Sequence, residues 1–245
     1  MPHTATHLAI ADRIYFILGG NIIENAPLFF GGNIAPDAIH AKKDYQRTDK
    51  KRSHLCEGIR SYGYGYPEVA ELFKRRVNEF IEKYYLTAGD DKDLYLGYIV
   101  HLLTDEFYLL MTYKHLEEHL KSTGTDTDEP NFRKNLADKV NDGGYRDFFA
   151  DIANIYEIFT HDEYQFKQNI ADILEAVWDY EVKDYITADE INASKRWSID
   201  NFINNEPAQD KIKNYDRDKA VNIINLAADD IIARLSGKGD IIKIL

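Results

Sequence analysis

The chain has 245 residues, 44% of them apolar, and a formal net charge of −12. That supports a sizeable core and argues against a general nucleic-acid or anionic-membrane binder, since both surfaces would repel it. The single cysteine, Cys56, rules out an internal disulfide and suits a reducing compartment.

Near the start, MPHTATHLAIADRIYFILGG has no basic region, and Asp12 and Arg13 break its apolar stretch. It is a poor signal peptide, so a cytoplasmic location is expected. Leu8, Ala11, Ile14 or Tyr15, and Leu18 recur at helical spacing and predict a first helix. Residues 31–52 read as irregular, with GGN, an Ala35-Pro36-Asp37 turn and the basic cluster Lys50, Lys51 and Arg52. A helix opened by Pro67 follows, carried by Val69, Leu72, Phe73, Val77, Phe80, Ile81 and Tyr84. Residues 94–120 predict one long helix. Its apolar run contains Gly97, His101, Thr104, Asp105 and Glu106, which fits a buried core helix and not a membrane span. STGTDTDEP at 122–130 reads as a surface loop. Further helices are expected around Ile152, Ile155, Tyr156 and Phe159, around Ile170, Ile173, Leu174, Val177 and Trp178, and from Val221 to Leu235 with Gly237 as the stop. No alternating strand pattern occurs. The expectation is an all-α protein, a multi-helix bundle forming one domain over 1–245. The alternative is a metal-binding half, 1–121, and a helical C-terminal half, 131–245.

The chemistry concentrates in a few places. His101 and Asp105 stand at i and i+4, so one helix face presents both. A lone buried carboxylate is costly and needs a partner. A divalent cation with imidazole and carboxylate ligands meets that need, as does pairing to an arginine or a backbone cap. Gly97, one turn earlier, leaves room for another backbone or a ligand. His7 shares a face with Ile14 and Leu18 and points to the core, as a ligand or as a satisfied core histidine, while His3 lies near the terminus. Asp37 follows Pro36 on a turn or helix start, where it could also cap backbone amides. His40 is a further candidate. His54 is expected on a helix that follows the basic cluster.

The ordered set, His, then Pro-Asp, then Ser-His, then His-x-x-x-Asp, resembles a known superfamily: bacterial zinc-dependent phospholipase C and the fungal-type single-strand nucleases. THLAIADRI, GGNIAPDAIHA, SHL and GYIVHLLTDEFY look like the pieces of its metal site, and the resemblance covers residues 3 to about 110. It implies that Asp37, His54, His101 and Asp105 hold one zinc, and that Asp105 bridges to a second held by His7. The terminal amine completes the second site in the family. Here Met1 precedes Pro2, so methionine removal would leave Pro2 as that ligand, with His3 as the rival. The implied function is metal-dependent hydrolysis of phosphate esters, phospholipase C-like, on a small phosphoester or phospholipid head group, with Asp37 as the catalytic base. The alternative is a non-catalytic helical binding protein with a structural or vestigial metal site.

The sequence departs from the family at its third zinc. Leu109, Leu110 and Met111 stand where that site's first histidine belongs. Its downstream His-x-x-x-acid pair is matched only by His115-x-x-x-His119 and His161-x-x-x-Gln165. His115 lies about 21 Å along a straight helix from His101, too far to share its ion. One or two zinc ions are therefore expected, without the third.

Overall fold

The structure is a computed structural model that describes residues 4–59, 66–127, 131–141, 144, 145, 148, 166, 168–203, 217–238 and 241–245. Among these the protein is all-α, with isolated bridges but no strand. The helices are α1 (Thr4–Leu18), α2 (Ala26–Ala38), α3 (Arg47–Ser53), α4 (Pro67–Lys83), α5 (Lys92–Ser122), α6 (Phe132–Asn141), α7 (Ile170–Glu175), α8 (Ala188–Ser198) and α9 (Arg217–Leu235). No helix among the described residues is long and apolar enough to cross a membrane. The helix expected around Ile152 and Phe159 lies outside the described residues, as do Pro2, His3, His161 and Gln165.

Helices α1, α4, α5 and α9 form where the periodicity places them, and Gly237 ends the last one with φ +80°. Only residues 42–46 of the region 31–52 are irregular. Residues 31–38 belong to α2, and the basic cluster belongs to α3. The reason lies in the burial of α2. Leu28, Phe29, Phe30, Ile34 and Ala35 are all inside, so the helix is apolar all round and shows no one-sided pattern. Its start carries a signal that turn-like residues further on obscure. Asn25 caps it by accepting from the Leu28 amide at 3.1 Å, with Pro27 in the first turn. The segment after Ile170 is shorter than expected, because the chain leaves α7 after Glu175. Val177 then packs towards Gly31, and Trp178 is exposed.

The core is organised on the pair α2 and α5. Helices α1, α7 and α8 pack around α2, α4 packs on α5, and α9 packs on α1 and α5. Two glycines let the central backbones meet. A Cβ on Gly32 would lie 1.9 Å from the Leu94 carbonyl oxygen, and one on Gly97 would lie 1.9 Å from that of Phe29. Gly97 thus makes room for another backbone. At the entry to α2, the Asp93 carboxylate accepts the Glu24 and Asn25 amides at 2.9 and 2.7 Å, tying the first turn of α5 to the start of α2.

Glu106, one residue past Asp105, is fully buried and paired. Arg234 of α9 donates to its Oε2 at 2.6 Å. Breaking such a pair from one side strands a buried charge. Arg234→Leu is therefore expected to lower stability by about 3 kcal/mol in urea titrations. Adding Glu106→Leu should recover much of the loss, and additive losses in the double variant would contradict this account.

Candidate metal centre

Five side chains from four segments converge on one buried spot. Helix α1 supplies His7, α2 supplies Asp37, the residue after α3 is His54, and α5 supplies His101 and Asp105. Among the described residues, two groups of three could each hold a metal ion: His7, His101 and Asp105, or Asp37, His54 and His101. His101 belongs to both. Asp105 Oδ1 lies 3.4 Å from His7 Nε2, and its Oδ2 lies 3.6 and 3.9 Å from the Nε2 atoms of His54 and His101. Asp37 Oδ1 lies 3.3 Å from His54 Nε2. The His7 and His101 rings stack at 3.7 Å.

Each ligand type is delivered by local structure. The i, i+4 spacing on α5 puts His101 and Asp105 on one face, as expected. Asp37 does not start a helix. It sits in the last turn of α2, so its carboxylate caps no helix start. His54 does not lie on a helix after the basic cluster but directly after the helix that contains it. Helix α3 ends in a Schellman arrangement: the Cys56 amide reaches the Lys51 carbonyl at 2.6 Å, and the Leu55 amide reaches that of Arg52 at 3.0 Å. Leu55 takes the left-handed position at φ 54°, where glycine is usual. The strain is held in place. The Leu55 side chain is buried, its carbonyl accepts from Arg76 at 2.8 Å, and the buried Tyr98 hydroxyl of α5 donates to the Ser53 carbonyl.

The second nitrogen of each imidazole decides which face is bare. His101 Nδ1 lies 2.7 Å from the Asn33 carbonyl, and His54 Nδ1 lies 3.0 Å from that of Lys50. A carbonyl only accepts, so both Nδ1 atoms carry the proton. In the neutral rings both Nε2 atoms then present lone pairs, and these face each other at 3.3 Å. Two lone pairs at that distance repel unless a proton or a metal ion lies between or beside them. Asp105 Oδ1 and both His7 nitrogens are buried without a hydrogen-bond partner. Unpaired buried groups of this kind are unfavourable in a protein interior, and a metal ion bound by one His7 nitrogen and by Asp105 Oδ1 would satisfy those two atoms.

The electrostatics agree. Burial alone would raise the Asp37 carboxyl, but Lys50, His54 and His101 outweigh it and hold it well below the ordinary carboxylate range. Burial likewise opposes ionisation of Asp105, yet His7, His101 and His54 hold it below its usual value. Burial, and after it His7, pushes His101 well below the usual imidazole value. At neutral pH this leaves two carboxylates and a neutral His101, the protonation states that metal binding requires.

The other candidates fall elsewhere. His40 stands at the rim, 48% exposed, with Nε2 3.7 Å from Asp37 Oδ1. His119 is exposed, its ring 5.7 Å from that of Phe148, and neither it nor His115 joins a metal-competent group among the described residues. Sequence reasoning missed Lys50, whose ammonium donates to Asp37 Oδ1 at 2.8 Å. Its spacing of four residues before His54, on a helix, was the available signal.

An all-helical fold that gathers three buried histidines, the buried Asp105 and the part-buried Asp37 around one spot offers the nitrogen and oxygen ligands that zinc takes. The sequence matches the zinc-dependent phospholipase C family over residues 6–234. The chain belongs to that family, which makes it a phospholipase C-like hydrolase by class and zinc its metal. No curated protein and no solved structure matches it.

Proposed function

We propose that the protein is a zinc-dependent phosphodiesterase acting on a small phosphoester or a phospholipid head group, with His7, Asp37, His54, His101 and Asp105 as the metal ligands. The observation that carries this reading is the central position of Asp105. Its Oδ1 lies 3.4 Å from His7 Nε2 and its Oδ2 3.6 Å from His54 Nε2, so its two oxygens could serve two neighbouring ions, as two-metal phosphoester hydrolysis requires. Zinc bound there would supply an activated water and neutralise charge on the phosphoryl oxygens.

The chain's own residues divide the remaining work. Asp105, with a side chain 4% exposed, is a structural ligand out of reach of bulk water. Asp37, 19% exposed, is the carboxylate that water reaches, and it takes the role of proton acceptor. The carbonyls of Asn33 and Lys50 keep the His101 and His54 rings oriented through their Nδ1 protons. Pro2, by its amine, or His3, by its imidazole, remains the proposed additional donor beside His7.

The zinc-loaded protein is expected to hydrolyse bis(p-nitrophenyl) phosphate in preference to a carboxyl ester or a peptide, with chelator abolishing turnover. Peptidase activity without diesterase activity would place it in another class. Inertness of fully metallated protein across a phosphoester panel would favour a binding module with a vestigial site.

A further inference from the structure

The centre is not equally buried on all sides. His7 and His101 are 1% exposed, whereas the Lys50 side chain is 27% exposed and that of His40 48%. The mouth of the site is therefore the edge formed by Lys50 and His40. Lys50 Nζ lies 2.8 Å from Asp37 Oδ1 and 3.3 Å from His40 Nε2. It reaches there because it stands one turn before His54 on α3, so the helix that delivers a ligand also delivers a cation.

A zinc-binding pocket has no evident need for a lysine. A positive charge beside the ligand carboxylate competes with the metal, and an ammonium cannot itself coordinate one. Its placement makes sense for a different partner. An ammonium offers three donors and accepts nothing. Were Asp37 Oδ1 engaged by a metal, it would be a weaker acceptor for the ammonium, which α3 would still hold at the opening. Lysine acts there as a point charge suited to phosphate oxygens.

We propose that Lys50 is a substrate-binding residue that holds a non-bridging oxygen of the phosphoryl group at the mouth of the metal centre, with His40 beside it. This rests on the phosphoester reading above, and it names the group that recognises the anion independently of the metals.

The test uses zinc-loaded wild type, Lys50→Met, Lys50→Gln and Lys50→Arg. Zinc per chain is measured by elemental analysis, and affinity for inorganic phosphate by calorimetry at fixed ionic strength. Full zinc content is expected in every protein. Phosphate affinity should fall about tenfold or more in the Met and Gln variants, the scale of one charge-assisted hydrogen bond, and recover largely in the Arg variant. The Gln variant keeps the comparison open if the Met variant fails to fold. Phosphate binding within twofold of wild type in both neutral variants would overturn the proposal. So would an absence of phosphate binding by wild type. Loss of zinc on neutralising Lys50 would also overturn it, by showing that the lysine serves to place Asp37. Diester turnover by wild type is scored separately, so a failure of the phosphodiesterase reading is distinguishable from a failure of the lysine assignment.

Discussion

Gly97→Ala is expected to destabilise the protein by about 3 kcal/mol or more and to reduce its zinc content, although alanine is the better helix former by about 1 kcal/mol. The added methyl would meet the Phe29 carbonyl oxygen at 1.9 Å and the Asn33 nitrogen at 2.8 Å. Both contacts are backbone on α2, so no side chain can swing aside and the helices must separate. The cost is not confined to packing. Asn33 is the residue whose carbonyl orients His101 at 2.7 Å, so any withdrawal of α2 loosens a ligand on α5. Gly32→Ala should behave alike, since its methyl would meet the Leu94 carbonyl oxygen at 1.9 Å. Urea titrations and zinc analysis check both. A Gly97→Ala protein with raised stability and full zinc would show that the helices part at no cost and that the crossing does not position the site.

The same crossing explains what the sequence discloses and what it withholds. Helices α1 and α4 carry spaced apolar residues, and α5 is a long apolar run, so all three are legible. Helix α2 is not. Buried on every side, it loses the contrast that periodicity needs, and its Gly31, Gly32 and Pro36 look like a turn. Those glycines serve close packing: a Cβ on Gly31 would meet the Val177 side chain at 3.1 Å, tighter than ordinary contact. Similarly, nothing in Ser53-His54-Leu55 announces that Leu55 ends α3 in the left-handed position, because that ending usually has glycine.

The ligands differ in the same way. His101 and Asp105 share one helix face, so spacing alone pairs them. His7, Asp37 and His54 sit on separate segments, and each alone fits an ordinary core or capping residue. Only their order, through its resemblance to a family, suggested one site. The structure brings them together. Lys50 was hidden because lysine within a basic run normally means a solvated surface. Its contact with Asp37, 13 positions away in the chain, exists only once α2 and α3 are folded side by side.

Asp105→Ala is expected to remove all tight zinc binding, and with it the metal's contribution to stability. Asp105 is the one side chain with oxygens near His7, His54 and His101, at 3.4, 3.6 and 3.9 Å. Its loss therefore removes an oxygen beside each of the three histidines at once, whereas His7→Ala touches only the outer member of one metal-competent group. The size of the effect follows from linkage. A ligand present at about a thousand times its dissociation constant stabilises the folded state by about 4 kcal/mol. Wild type should thus show a large fall in unfolding temperature when zinc is chelated, and Asp105→Ala should show none. His101→Ala should lose the ion that Asp37, His54 and His101 hold, because with Nδ1 on the Asn33 carbonyl His101 has one coordinating nitrogen. His7→Ala should retain one ion and an intermediate response to chelator. The ordering of the three variants is the informative part. Any buried polar substitution can destabilise, but only a bridging carboxylate predicts that Asp105 costs more zinc than either His7 or His101. Elemental analysis showing wild-type zinc content in both Asp105→Ala and His101→Ala would remove these residues from the metal centre and leave their burial unexplained.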